Sequence, residues 1–150
     1  MSDLDDLYQE LILDHNKRPR NCCKLDEAHS QAEGFNPLCG DHLTVYLNVE
    51  DNVVTEVTFE GSGCAISTAS ASLMTVSLKG KTLDEAKVLF RKFHGLVTGE
   101  PHEVEEGPGL GKLEVFGGVC KYPARVKCAT LAWHTVNAAL EQRDDTVSTE

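Results

Sequence analysis

The residues of this chain best suited to chemistry are its six cysteines, at positions 22, 23, 39, 64, 120 and 128. Thiolates bind zinc and other soft or borderline metals, and they are also the nucleophiles of sulfur chemistry. In a reducing compartment, this many thiols point to metal binding or thiol chemistry rather than to disulfides. Their positions relative to the predicted helices and strands indicate which of them act together.

The composition excludes several classes of function. The chain has 150 residues, 41% of them hydrophobic and 25% charged, which is typical of one globular domain. A net charge of −10 without a basic patch argues against nucleic-acid binding. No apolar run approaches the roughly 20 residues of a membrane-spanning helix, and the acidic N-terminus lacks the pattern of a secretory signal. We therefore expect one cytoplasmic domain over residues 1–150, away from membranes.

Hydrophobic periodicity predicts the elements that would position the cysteines. Apolar residues at helical spacing predict a helix over residues 3–17. Strict alternation over residues 43–59, interrupted by a turn at Asp51-Asn52, predicts an antiparallel hairpin. Residues 29–34 could form a further short strand.

Three more helices are predicted after the hairpin. One begins at or near Cys64, one follows the capping-box pair Thr82 and Glu85, and the last covers residues 123–141. Residues from about 98 to 116 are predicted to be an acidic loop insertion, and residues from about 143 to 150 a flexible tail. This order of elements predicts an α+β fold, with a small antiparallel sheet covered by helices on one face.

The predicted hairpin brings several ligand-type side chains together. Cys39 and Asp41 stand at its entry and Cys64 at its exit, and antiparallel pairing places these ends side by side. The last helix must pack on the sheet, which would bring Cys128 to the same end. Three thiolates and one carboxylate form a tetrahedral ligand set, most simply for zinc. With Zn²⁺ they sum to −2, and Arg125, one turn before Cys128, could supply a compensating cation.

Each of these residues also has a more ordinary interpretation. A single cysteine is more often a buried core residue than a ligand, and Asp41 alone reads as a turn or capping residue. Arg125 alone reads as part of a solvated helix face. The chain has no short Cys-x-x-Cys, so spacing by itself is a moderate signal.

Four segments of the chain match the pattern of a known family in their order and spacing, which favours a common site for Cys39, Asp41, Cys64 and Cys128. The segments are Leu7-Tyr8-Gln9 with Leu11-Ile12-Leu13-Asp14-His15, Asn36-Pro37-Leu38-Cys39-Gly40-Asp41, Gly61-Ser62-Gly63-Cys64-Ala65-Ile66-Ser67 with Ala69-Ser70, and Pro123-Ala124-Arg125-Val126-Lys127-Cys128-Ala129 with Leu131-Ala132-Trp133. They resemble the SufU family, the branch of the IscU/NifU-N-terminal superfamily found in many bacteria, and the resemblance runs from about residue 4 to 140.

The resemblance implies a site and a function. It makes Cys39, Asp41, Cys64 and Cys128 the metal ligands and Cys39 the sulfur acceptor. The implied activity is that of a zinc-dependent sulfurtransferase, which accepts persulfide sulfur from a pyridoxal-phosphate cysteine desulfurase of the SufS type. The sulfur would pass to downstream iron–sulfur assembly proteins.

Details within the chain favour the SufU branch over the IscU branch. Lys127 stands where IscU proteins carry a histidine, their Leu-Pro-Pro-Val-Lys stretch is absent, and the segment from about 98 to 116 resembles the SufU insertion. The other thiols, Cys22, Cys23 and Cys120, match nothing in the family pattern and are interpreted as ordinary thiols.

Two other functions use the same residues. The chain could be a scaffold on which a [2Fe–2S] cluster is assembled with the same four ligands. It could also be a structural zinc module, in which the metal only ties the hairpin to the last helix. The residues alone leave these alternatives open.

Overall fold

One mixed sheet underlies the fold in the computed structural model, which describes residues 3–99, 109–141 and 147–148. The strand order is β3-β2-β1-β4. The strand β2 pairs antiparallel with both β1 and β3, and the two-residue β4 pairs parallel with β1. The strands are β1 Ser30–Asn36, β2 Asp41–Glu50, β3 Val53–Ser62 and β4 Val147–Ser148.

Helices cover one face of this sheet in two layers. In the inner layer, α4 packs on β1 and β2 while α2 packs on β3. Outside them, α1 packs on α2, and α3 packs against a 3₁₀ helix and α4. The bounds are α1 Asp3–Lys17, α2 Ala65–Leu78, α3 Leu83–Thr98, the 3₁₀ helix Gly111–Lys121 and α4 Pro123–Leu140.

The period of two along the strands determines which side chains lie beneath the helices. On β2, Leu43, Val45 and Leu47 are almost fully buried and share a face with Asp41. On β1, Asn36 is buried at the end of the row that begins with Ala32, and it pairs with Asp41 across the strands. Two polar side chains therefore end the apolar rows of the covered face.

A glycine allows α4 to approach the sheet closely. A Cβ atom at Gly34 on β1 would lie only 2.0 Å from Thr135 Oγ1 on α4. Only glycine leaves room for the hydroxyl at this crossing, so the helix lies against the strand. This contact helps to fix the height at which α4 carries Cys128 over the sheet.

Aromatic packing secures the outer helices. Phe93 of α3 stacks on Trp133 of α4 with ring centroids 4.6 Å apart, and Phe116 of the 3₁₀ helix meets Phe93 edge-on at 5.7 Å. All three side chains are buried. The 3₁₀ helix is therefore part of the core rather than a surface excursion.

The predicted fold class is confirmed: a single α+β domain with an antiparallel three-strand unit covered by helices. The predicted helices and the hairpin are present, and the capping box of Thr82 and Glu85 forms as expected. The short strand considered over residues 29–34 is present as β1 and extends to Asn36. Within the described residues, no helix is both long and apolar enough to span a membrane.

Two sequence predictions need correction. The acidic loop from about 98 to 116 was wrong over residues 111–116, which form the start of the 3₁₀ helix and bury Leu113 and Phe116 in the core. Glycines had concealed this apolar pattern, and the acidic residues 100–106 lie outside the described residues. The flexible tail from about 143 to 150 is corrected at Val147–Ser148, which pair with β1 and occupy an otherwise open sheet edge.

Candidate metal centre

The entry to the hairpin places Cys39 and Asp41 on a tight turn. The turn is closed by the backbone N–H of Gly40, which donates to the Asn36 carbonyl oxygen at 2.8 Å. Gly40 has a φ of +74°, the left-handed conformation that glycine adopts without strain. Cys39 is exposed on this turn, whereas Asp41 is fully buried at the start of β2.

The exit of the hairpin brings Cys64 to the same place. Its backbone N–H donates to Asp41 Oδ1 at 2.8 Å, and its Sγ lies 3.9 Å from Asp41 Oδ2. Cys64 is also the N-cap of α2, and its sulfur accepts the backbone N–H of Ser67 at 3.4 Å. The loop approaches Asp41 closely because Gly63 has no side chain: a Cβ there would lie 2.8 Å from Asp41 Oδ1.

The last helix delivers Cys128 to the same group. Its side chain is 2% exposed, and its Sγ lies 3.3 Å from Cys39 Sγ. Ligand-type atoms of Cys39, Asp41 and Cys128 all lie within 4.8 Å of one another. Cys64 joins this group from the side of Asp41. The structure therefore groups three of the four predicted ligands and places the fourth, Cys64, in contact with one of them, Asp41.

The geometry of the group suits a tetrahedral ion held by sulfur and oxygen. A zinc ion with bonds of about 2.3 Å to sulfur and about 2.1 Å to oxygen separates neighbouring ligand atoms by about 3.6–3.8 Å. The separations of 3.3 Å for Cys39 and Cys128, and 3.9 Å for Asp41 and Cys64, bracket that value. Coordination of one ion by all four residues requires the Cys64 thiol to move towards the other three, which alone lie within 4.8 Å of one another. The donor set fits zinc chemistry.

Without a metal, the thiol of Cys128 resists ionisation. Burial is the main cause that raises its pKa, and hydrogen bonds with Cys39, Asp41 and Cys64 raise it further. A cation inside the group reverses this preference because it stabilises the thiolates directly. Binding of a metal here would therefore release protons.

Arg125 does not lie where charge compensation was expected. Its guanidinium carbon stands 4.5 Å from the centroid of the Tyr122 ring, at the exposed start of α4. In the part of the chain that the structure describes, no hydrogen bond or ion pair joins the Arg125 side chain to the four ligand-type residues. The positive charge is therefore close to the site along the helix but is directed at an aromatic face.

One residue of the site was missed by the sequence analysis. Asn36 is fully buried, and its Nδ2 donates to Asp41 Oδ2 at 3.2 Å and to Cys128 Sγ at 3.5 Å. The sequence analysis named Asn36 only as the first residue of the segment that contains Cys39 and Asp41. A signal was available, because Asn36 lies in register with Ala32 and Gly34 on the face that the sheet buries.

The remaining thiols lie apart from this group. Cys22 and Cys23 are exposed, and Cys22 forms an isolated bridge with Phe59 on β3. Burial is the main cause that raises the pKa of Cys22. Cys120 lies in the 3₁₀ helix, where its thiol donates to the Gly117 carbonyl oxygen at 3.6 Å.

Comparison with known proteins identifies the class to which this fold and site belong. The sequence profile of the NifU-like N terminal domain matches residues 7–142, so the chain belongs to that family. The solved structure of the SUF-system protein FiSufU from Fervidobacterium islandicum AW-1 superimposes with a TM-score of 0.79 at 37% identity, covering 87% of this chain and 94% of that one.

Named relatives carry two different functional descriptions. The zinc-dependent sulfurtransferase SufU of Bacillus subtilis is 37% identical over 143 residues, which is 95% of this chain and 95% of that protein. The iron–sulfur cluster assembly scaffold protein IscU of Streptococcus pyogenes is 36% identical over 142 residues, covering 95% of this chain and 87% of the relative. The similarity therefore confirms the predicted family and leaves the two activities to be separated by chemistry.

Proposed function

We propose that this chain is a zinc-dependent sulfurtransferase of iron–sulfur cluster assembly. It would bind Zn²⁺ through Cys39, Asp41, Cys64 and Cys128, and accept persulfide sulfur from a pyridoxal-phosphate cysteine desulfurase of the SufS type. The observation that carries the proposal is the contrast within the ligand group: Cys39 is exposed, while Asp41 and Cys128 are buried.

Local contacts make Cys39 the ligand best able to leave a metal. Asp41 accepts two N–H donors, and Cys64 and Cys128 each accept one. Among the residues that the structure describes, the one hydrogen bond of Cys39 Sγ is with the thiol of Cys128. Release of Cys39 would therefore leave three ligands held in place by the fold.

The transfer step follows from thiol chemistry. The Cys39 thiolate attacks the outer sulfur of the donor's persulfide, an S–S bond forms on Cys39, and the donor's cysteine departs as a thiolate. Zinc, when bound, holds thiolates deprotonated and is redox-inert, so the persulfide is not oxidised. The product is a Cys39 persulfide, whose sulfur would pass on to cluster assembly.

Arg125 is proposed to act on the incoming sulfur rather than on the metal. Its guanidinium lies at the exposed start of α4, one helical turn before Cys128, and is held by Tyr122. A persulfide is anionic, and an exposed cation on the helix that carries Cys128 would attract it. We expect Arg125→Ala to lower the rate of sulfur transfer while leaving zinc affinity within twofold of the unmutated value.

Desulfurase stimulation provides the decisive test. The zinc-loaded chain should increase alanine production from cysteine by the desulfurase, and Cys39→Ala should abolish the increase because the acceptor sulfur is gone. Cys120→Ala is the matched control, since it removes a half-exposed thiol outside the ligand group. Undiminished stimulation by Cys39→Ala would refute sulfur acceptance at this residue.

The scaffold function remains the second candidate because the similarity to IscU proteins covers most of the chain. The same four ligands could hold a [2Fe–2S] cluster. Anaerobic purification separates the two: stoichiometric iron and sulfide with visible absorption, transferable intact to an apo-protein, would favour the scaffold. Tight colourless zinc without cluster transfer favours the sulfurtransferase.

A purely structural zinc site makes a different prediction for Asp41→Ala. If the zinc is only structural, replacing any of the ligands should lower the thermal stability of the protein. If the site is functional as proposed, the Asp41→Ala protein should keep its fold and lose turnover. The carboxylate of Asp41 argues against the structural role, because structural zinc sites are typically built from cysteine and histidine ligands alone.

A further inference from the structure

The side chain of Asn36 joins two ligand-type residues that are remote in sequence. Its Nδ2 carries two N–H donors; one reaches Asp41 Oδ2, five residues away, and the other reaches Cys128 Sγ, 92 residues away. Its Oδ1 accepts the backbone N–H of Leu38 at 3.3 Å. The whole hydrogen-bonding capacity of the amide nitrogen is thus directed at the metal centre.

The turn itself requires only the oxygen of this side chain. An Asn, Asp or Ser at this position can accept the N–H two residues on and so form the turn. The nitrogen contributes nothing to that contact, and Asn36 is fully buried, so its N–H groups have no water to bind. Placing an amide here, rather than a hydroxyl, has a consequence only for Asp41 and Cys128.

The charge of the ligand group explains why neutral donors suit this position. Three thiolates, one carboxylate and Zn²⁺ sum to −2, and Arg125 lies over Tyr122 instead of contacting the ligands. N–H donors from Asn36, Cys64 and Ser67 are what contact the ligand atoms. Hydrogen bonds to anionic ligands are charge-assisted, and such partners orient metal ligands and tune how strongly they bind.

We propose that Asn36 is a positioning residue of the metal centre, which holds Asp41 and Cys128 in ligand geometry and offsets their charge through neutral N–H donors. Within the described residues, no hydrogen bond joins its side chain to Cys39, the proposed acceptor of persulfide sulfur. Asn36 therefore acts through the two ligands that it does contact, Asp41 and Cys128. The inference rests on the proposed zinc site. It adds that retention of the metal depends on an amide of β1 that is not itself a ligand.

Substitution to serine separates the two roles of the side chain. Asn36→Ser keeps an oxygen that can accept the Leu38 N–H but cannot span from Asp41 to Cys128, and Asn36→Ala removes both contacts. We expect the zinc affinity of both variants, measured by competition with a chromophoric chelator, to fall about 10–100-fold. Asn137→Ser is the control, because that amide donates to Glu141 at the C-terminal end of α4.

A spectroscopic measurement distinguishes positioning from general destabilisation. With Co²⁺ in place of zinc, the thiolate-to-metal charge-transfer and d–d bands report the geometry and charge of the ligands. Both Asn36 variants should shift these bands, whereas Asn137→Ser should not. Zinc affinity within twofold of the unmutated protein, together with unchanged cobalt spectra, would overturn the proposal.

The outcome also separates this inference from the proposed function. If Cys128→Ser abolishes zinc binding while Asn36→Ser does not affect it, the metal site stands and the role of Asn36 is refuted. If Cys128→Ser leaves zinc binding intact, the metal site itself is wrong and the inference is refuted with it.

Should the Asn36 variants fail to fold, the unmutated protein provides the test. The side-chain amide signals of Asn36, observed with ¹⁵N-labelled asparagine, should shift when zinc is added to the metal-free chain. Signals that stay in place on zinc binding would show that the amide does not contact the occupied ligands, and would refute the proposal.

Discussion

Replacing Gly63 with alanine tests whether the fold determines the position of Asp41. The added Cβ would lie 2.8 Å from Asp41 Oδ1 and 3.3 Å from its Cγ. Since ordinary contact begins near about 3.5 Å, the carboxylate must retreat by about 0.7 Å. A functional constellation tolerates only about 0.5 Å of displacement. We therefore expect zinc affinity to fall about 10–100-fold, or about 1.4–2.8 kcal/mol.

The assay compares zinc affinity with the stability of the metal-free chain. Chelator competition gives the affinity, and thermal unfolding without metal shows how much the new methyl group disturbs the fold itself. Gly118→Ala is the matched control, because a Cβ there meets no atom within 4 Å. If Gly63→Ala binds zinc as tightly as Gly118→Ala, Asp41 is either not a ligand or not held by this loop.

Other predictions concern stability. Burial, and then the charge of Arg20, lowers the pKa of His15 below its usual 6.5, while Ser72 holds its Nδ1 at 2.7 Å. His15 therefore binds a proton more readily in the unfolded chain than in the folded chain. The contribution of neutral His15 to the free energy of unfolding is complete above pH 6.5, and it is lost as the pH falls through 6.5 towards the pKa of the folded chain. The thermal stability of the unmutated chain should therefore fall between pH 8 and pH 5. In His15→Gln this dependence on pH should be weaker, and an equal dependence in the two proteins would contradict the assignment to His15. Gly34→Ala should lower the free energy of unfolding, measured with urea, by about 1–3 kcal/mol, because the added Cβ meets Thr135 Oγ1. Adding Thr135→Ala should recover part of that loss, and no recovery would mean that the strain lies elsewhere.

The local signals of the sequence were enough to predict most of the fold. Alternation over residues 43–59 predicted the hairpin, and the pair Thr82 and Glu85 predicted the start of α3, because both patterns arise from contacts between near neighbours in the chain. The 3₁₀ helix was missed because its stability comes from burying Phe116 against Phe93 of another helix. Such tertiary contacts leave no periodic trace in a segment rich in glycine.

The positions of the site residues could likewise be predicted from the sequence only in part. Hairpin geometry alone placed Cys39, Asp41 and Cys64 together, because strand pairing joins the two ends of a hairpin whatever their side chains. Placing Cys128 required only that the last helix cover the sheet. The direction of the Arg125 side chain could not be predicted, since its contact with the Tyr122 ring depends on how the start of α4 leaves the 3₁₀ helix.

The hydrogen bonds around the ligands depend on strand register. Asn36 meets Asp41 because the turn between β1 and β2 pairs these two residues, and a shift of one residue would point both side chains to the opposite face. Polar residues at the end of a buried apolar row are costly unless they bind something. The two residues that break the rows of β1 and β2, Asn36 and Asp41, satisfy each other and contact Cys128 and Cys64. Register therefore couples the fold to the site: the alternation that builds the core also fixes the charge and geometry offered to a metal.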